Sequence, residues 1–157
     1  MATDIKIAWD VTLMEGDFAF GNNDLEHDEG LETAVIVSLF SDRRASDDDP
    51  LPDESRGKRG WWGDLTSGIE NDQIGSKLWL LEREKTTEET LAKAKGYILE
   101  ALQWMIEDGI TKKIEAEVER AGTITNPRLA FHVKIYKDTT TLNISFNEQW
   151  EAQEEAA

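Results

Sequence analysis

The sequence predicts an α+β domain: an N-terminal β-hairpin, two main helices and a three-stranded antiparallel sheet. Three observations lead there. Apolar and polar residues alternate near both ends of the chain, one long apolar stripe runs at helical spacing in between, and polar breaks separate the last three alternating segments. At 157 residues the chain suits one domain, over 1–150, followed by an acidic tail over 151–157.

The elements follow in order. Ile5, Ile7 and Trp9 alternate with polar residues, and "DFAF" at 17–20 repeats the alternation, which gives the hairpin. "DEGLETAVIVSLFSDRR" then places Leu31, Ala34, Val35, Ser38 and Leu39 on one helical face. Asp28 is positioned to cap this helix of about three turns, acids fill its first turn, and Arg43 and Arg44 fall at its end, where the dipole favours cations. Residues 47–59 hold two prolines and almost no apolar side chain, so they form a loop. "GSKLWLLERE" is apolar enough for a short buried helix or a strand, and its length does not decide between them.

Thr86 with Glu89 three residues on makes a capping-box pattern. Leu91, Ala94, Ile98, Leu102 and Met105 form the long stripe, and Gly109 ends it. The strands come last: Ile114, Ala116 and Val118; Leu129, Phe131, Val133 and Ile135; Leu142, Ile144 and Phe146, with breaks at "AGTITNP" and "KDTT". Each is apolar on one side only. Such a sheet needs a cover on that side, and the long helix supplies it.

Composition narrows the function. With 17 Lys and Arg against 33 Asp and Glu, the net charge is −16, which repels nucleic-acid phosphates and anionic membranes. There are no cysteines, which removes disulfides, thiol nucleophiles and cysteine-ligated metals. No apolar run approaches the roughly 20 residues needed to span a bilayer, and no secretory leader is evident, so the chain is expected to be made and used in soluble form.

No constellation singles out catalysis, a cofactor or a metal. His27 and His132 lack partners at catalytic spacing. Asp24, Glu26 and Asp28 alternate as in a calcium loop, but Gly30 comes one place late and Val35 replaces the terminal glutamate. Asp47, Asp48 and Asp49 are adjacent and cannot all face one ion. Glu82, Glu84, Glu88 and Glu89 flank a helix entrance, yet among 33 acids some pair always sits at a glycosidase-like distance. An acidic mimic of nucleic acid, binding a host protein, is an alternative, although the acids are scattered rather than set along one face.

The informative stretch is "RGKRGWWGD" at 56–64. Adjacent residues in extended chain point opposite ways, so one of Trp61 and Trp62 can pin the loop while the other anchors a partner beside Arg59. The other reading has both rings closing the open end of the core.

The succession "DLEHDEGLETAVIVSLFSDRRA", an acidic loop with prolines, "RGWWGD" and "GSKLWLLEREKTTEETLAKAKGYILEALQWMIEDG" closely resembles the Mu-like phage tail baseplate proteins. That family is similar in turn to the small wedge component of T-even and P2-like baseplates, which implies the handshake fold of tail sheath proteins. In the wider family an acidic-proline-arginine motif at the end of the first helix contacts the wedge core bundle. The equivalent place here is Ser41-Asp42-Arg43-Arg44, without the proline, so the resemblance carries the contact to Asp42, Arg43 and Arg44. It implies a structural, non-enzymatic protein of the virion tail baseplate, assembled in the host cytoplasm. Six copies would bind larger wedge proteins and the tail hub or tube, and a free sheet edge would accept strands from the first sheath ring. A peptidoglycan-cleaving, lysozyme-like activity, a label given to some relatives, has no support in these residues.

Overall fold

A computed structural model of the chain describes residues 4–10, 13, 15–28, 31–53, 57–69, 72–123, 126–137 and 140–149. The predicted acidic tail and Arg56 lie outside the described residues.

Three short antiparallel ladders build the N-terminal lobe: β1 (Asp4–Ile5) with β6 (His27–Asp28), β2 (Ile7–Asp10) with β3 (Glu15–Phe18), and β4 (Phe20–Gly21) with β5 (Asp24–Leu25). The limbs exchange partners at one point. Lys6 N–H donates to the Glu26 carbonyl at 2.8 Å, Glu26 N–H to that of Ala19 at 2.8 Å, and Ala19 N–H to that of Lys6 at 3.0 Å, a closed ring of three backbone bonds. The predicted hairpin is present, with an added third limb. Asn22 and Asn23, both at positive φ, make the two-residue turn that returns it, a conformation asparagine tolerates better than most residues. Trp9 stacks on Phe40 at 3.9 Å between ring centroids and docks this lobe on the first helix.

Helix α1 spans Glu32–Phe40 and differs at both ends from the expectation. Asp28 lies in β6, and Leu31 occupies the cap position with no side-chain bond. At the other end Ser41 is already extended, so Arg43 and Arg44 stand beyond the helix. A long-range pairing stops it. Asp42 forms a parallel bridge with Ser76: Arg43 N–H donates to the Ser76 carbonyl and Ser76 N–H to the Ser41 carbonyl, both at 2.9 Å.

Leu78–Leu81 resolves the open choice as a 3-10 turn whose four side chains are all buried. Helix α2 spans Glu88–Leu102. Its cap is Thr87, not Thr86: Thr87 has extended backbone and its Oγ1 accepts the Thr90 N–H at 3.2 Å, while Glu89 reaches forward to Lys93 instead of back. After Gln103, α3 (Trp104–Glu107) continues the stripe to Met105. Gly109, at φ +70°, then allows Ile110 N–H to close on the Met105 carbonyl at 2.9 Å, so the glycine serves as the left-handed cap.

Strands β7 (Lys113–Thr123), β8 (Asn126–Tyr136) and β9 (Thr141–Gln149) form the antiparallel sheet in that order. Ile114 faces Ile135, Ala116 faces Val133, and Val133 in turn faces Ile144. The β7–β8 ladder runs to Thr123 opposite Asn126, so most of the "AGTITNP" break is paired strand. Leu129, Phe131, Val133 and Ile135 bury their side chains against Ile98, Leu102 and Met105 of the helices and Val35 and Leu39 of α1, in one core. Full burial of each such side chain contributes roughly 1.5–3 kcal/mol.

Candidate interaction surface

Residues 43–75 leave the core and return to it through the Asp42–Ser76 bridge. Gly75 makes that neck possible: its φ is +99°, and a Cβ there would lie 2.3 Å from the Ser41 carbonyl oxygen. Ala45 of the excursion joins Trp79 and Leu80 of the following turn in a small buried centre, with Leu51 and Tyr97 packed on it. Ala45 N–H donates to the Lys58 carbonyl at 2.9 Å, and the Trp79 indole donates to the Arg43 carbonyl at 2.8 Å.

Charge ties the excursion down further. Asp49 accepts from Ser46 N–H at 2.8 Å and from the Lys77 ammonium at 2.8 Å. Burial alone would raise the Asp49 carboxyl, but Lys77 and Ser46 outweigh it and bring it down to about 2. Arg59 bonds both oxygens of Glu82 at 3.0 Å and Asp42 at 2.9 Å, with its guanidinium 4.6 Å from the Trp79 ring centroid. Burial, joined by repulsion from the Glu82 carboxylate, raises the Asp42 carboxyl above its ordinary value against the pull of Arg59. For Arg59, burial acts to lower the pKa, and the hydrogen bonds and charges of Glu82 and Asp42 more than reverse it.

The six residues singled out from the sequence therefore occupy different situations. Asp42 and Arg59 lie in a partly exposed charge cluster at the neck. Arg43 reaches Glu100 at 3.5 Å and Gln73 at 3.4 Å. Arg44 is exposed, donates a 3.3 Å bond to the Arg59 carbonyl and lies near enough to Asp47 to favour its carboxylate. Trp61 and Trp62 are 48% and 73% exposed, with ring centroids 5.5 Å apart, and neither belongs to the core. Trp61 folds over Gly63 so closely that a Cβ there would sit 2.1 Å from the ring, which is why glycine follows the tryptophan pair. Leu65, in the same 3-10 turn as Trp62, is 87% exposed, and Ile69 is exposed too.

Beside Trp61 lies a groove of about 410 Å³, walled by Val37 and Ser38 of α1, Ile74, Asp64 and Trp104. Trp104 is fixed by an indole bond to Ser38 Oγ at 3.1 Å. Asp64 and Trp104 were not apparent as site residues in the sequence, because chain segments far apart in order meet here. Three of the other chemical candidates have local partners. Glu26 pairs with Lys6 at 3.6 Å, Asp47 pairs with Lys58, and His132 meets Ser145 across β8 and β9.

The exposed Trp61, Trp62 and Leu65 thus lie together on one stretch of chain, behind which Asp42, Arg59 and Glu82 pair with one another. Comparison with known proteins gives the class: the family model for "Phage protein GP46" matches residues 31–141, from the start of α1 into β9. The "Baseplate protein gp46" of Escherichia phage Mu is 47% identical over 118 residues, 75% of this chain and 78% of that one. The "Mu-like prophage FluMu protein gp46" of Haemophilus influenzae (strain ATCC 51907 / DSM 11121 / KW20 / Rd) is 39% identical over 113 residues, 72% of this chain and 73% of that one. The chain belongs to this GP46 family of Mu-like phage baseplate proteins.

Proposed function

We propose that the protein is a structural, non-enzymatic component of a phage tail baseplate, and that the face carrying Trp61, Trp62 and Arg44 docks on larger wedge proteins. The observation that carries this reading is the tryptophan pair: two large rings held outward on a clamped excursion, as interface anchors are. Arg44, exposed nearby, supplies a cation that could pair with a partner carboxylate. Asp42, Arg43 and Arg59 act one step back, holding the neck that presents the pair.

The sheet supports the second half of the proposal. Among the described residues β7 and β9 each pair only with β8 and so are edge strands, able in principle to accept a strand from a sheath protein. Six copies, one per wedge around the hub, would template the first sheath ring of a contractile tail. The test uses whole particles. With Trp62→Ala or Arg44→Ala the purified chain should keep its melting temperature, while particles should fail to incorporate it. Normal incorporation of both variants would remove the docking role. A gold label on the chain should appear at the sheath–baseplate junction, and a peptidoglycan turbidity assay should show no clearing.

A further inference from the structure

Deepening that docking reading, we propose that the groove beside Trp61 receives a partner arginine, its stem lying against the tryptophans and its guanidinium meeting Asp64. Two independent features converge. The first is the unmet acceptor: Asp64 Oδ1 takes the Ile74 N–H at 3.2 Å, whereas Oδ2, covered from solvent, has no hydrogen-bond partner among the described residues, so a side chain of the groove wall must shift to admit a donor to it. A carboxylate oxygen in that state is destabilising until a donor reaches it. The second is the cradle. Val37, Ile74, Trp61 and Trp104 give the groove an apolar and aromatic lining, and 410 Å³ lies near the lower end of the roughly 300–1,000 Å³ typical of ligand pockets.

Charge selects the occupant. Among the described residues the groove wall contains Asp64 and the exposed Asp72 but no lysine or arginine, Arg43 behind Gln73 being paired with Glu100, and the whole chain carries −16. A long cationic side chain satisfies the carboxylate and covers the rings, and arginine does so better than lysine because its planar, weakly hydrated head also stacks on aromatic faces. An apolar side chain would fill the cradle and leave Oδ2 unmet.

The probes are Nα-acetyl-arginine methylamide and its leucine and glutamate counterparts, titrated into the full chain while the indole N–H signals are followed by NMR. The arginine probe should move the Trp61 and Trp104 signals and leave Trp79 in place, and added salt should weaken it. Asp64→Asn, which keeps the oxygen facing Ile74, should weaken arginine binding by roughly tenfold or more. Equal shifts with the leucine probe, no shift with arginine, or salt-independent binding that survives Asp64→Asn would each overturn the proposal. If it falls while Trp61→Ala still blocks incorporation into particles, the docking reading stands with an apolar occupant. If arginine binds but both tryptophan variants assemble normally, the site is real and the docking reading fails.

Discussion

The Arg59 guanidinium lies over Trp79 while bonding Glu82 through both carboxylate oxygens, so one side chain joins the excursion to the segment entering α2. Its removal costs more than a surface ion pair would. Arg59→Ala should lower stability by about 1–3 kcal/mol, because Asp42 loses its counter-charge and Trp79 its cover. Urea denaturation measures this, with Arg44→Ala as the contrast, expected within about 0.5 kcal/mol of the unmodified chain.

Gly75→Ala tests the neck. The added methyl meets the Ser41 carbonyl and the backbone sits in the left-handed region, so a loss of more than about 1 kcal/mol is expected. Amide exchange should accelerate at Arg43 and Ser76, whose N–H groups form the bridge, and stay slow in β8.

Asp49 gives a pH signature. Its folded pKa of about 2 lies below the roughly 3.9 of an unfolded aspartate, so the unfolded chain binds the proton more readily. The contribution is complete above about pH 5, declines as pH falls through 4, and is lost near 2. Urea midpoints of the unmodified chain and Asp49→Asn should therefore differ at pH 7 and converge toward pH 2. A constant gap would show that the pair with Lys77 is not the source.

The helix cap distinguishes adjacent threonines. Thr87→Ala should cost about 1 kcal/mol by freeing the Thr90 N–H, whereas Thr86→Ala should cost much less. Thermal melting of the two variants decides it.

Trp62→Ala should change stability by less than about 0.5 kcal/mol, since the ring is mostly in solvent. A larger loss would restore the reading in which both rings close the core.

The sheet and α2 were legible because each has one buried side over many residues: the alternation along Leu129, Phe131, Val133 and Ile135, and the stripe from Ala94 to Met105, repeat often enough to fix face and register. What stayed hidden depends on partners distant in sequence. Arg43 and Arg44 looked like the end of a helix because nothing nearby shows that Ser76 competes for the backbone at 41–43. The third N-terminal limb consists of two-residue pairings, too short for periodicity, although Asn22-Asn23 was a turn signal in plain view. For the interaction surface, the exposed tryptophans could be suspected from their glycines, but Asp64 and Trp104 meet only once α1, the excursion and α3 are in place.

The bridge at Asp42 and Ser76 has an evolutionary reading. With both ends of 43–75 fastened side by side, the core senses that length of chain much as it would a single short link. Substitutions within it that spare the neck and Ala45, which packs on Trp79, are expected to leave the scaffold unaltered. Under the docking role proposed for it, recognition could thus diverge between phages while the supporting architecture is inherited intact.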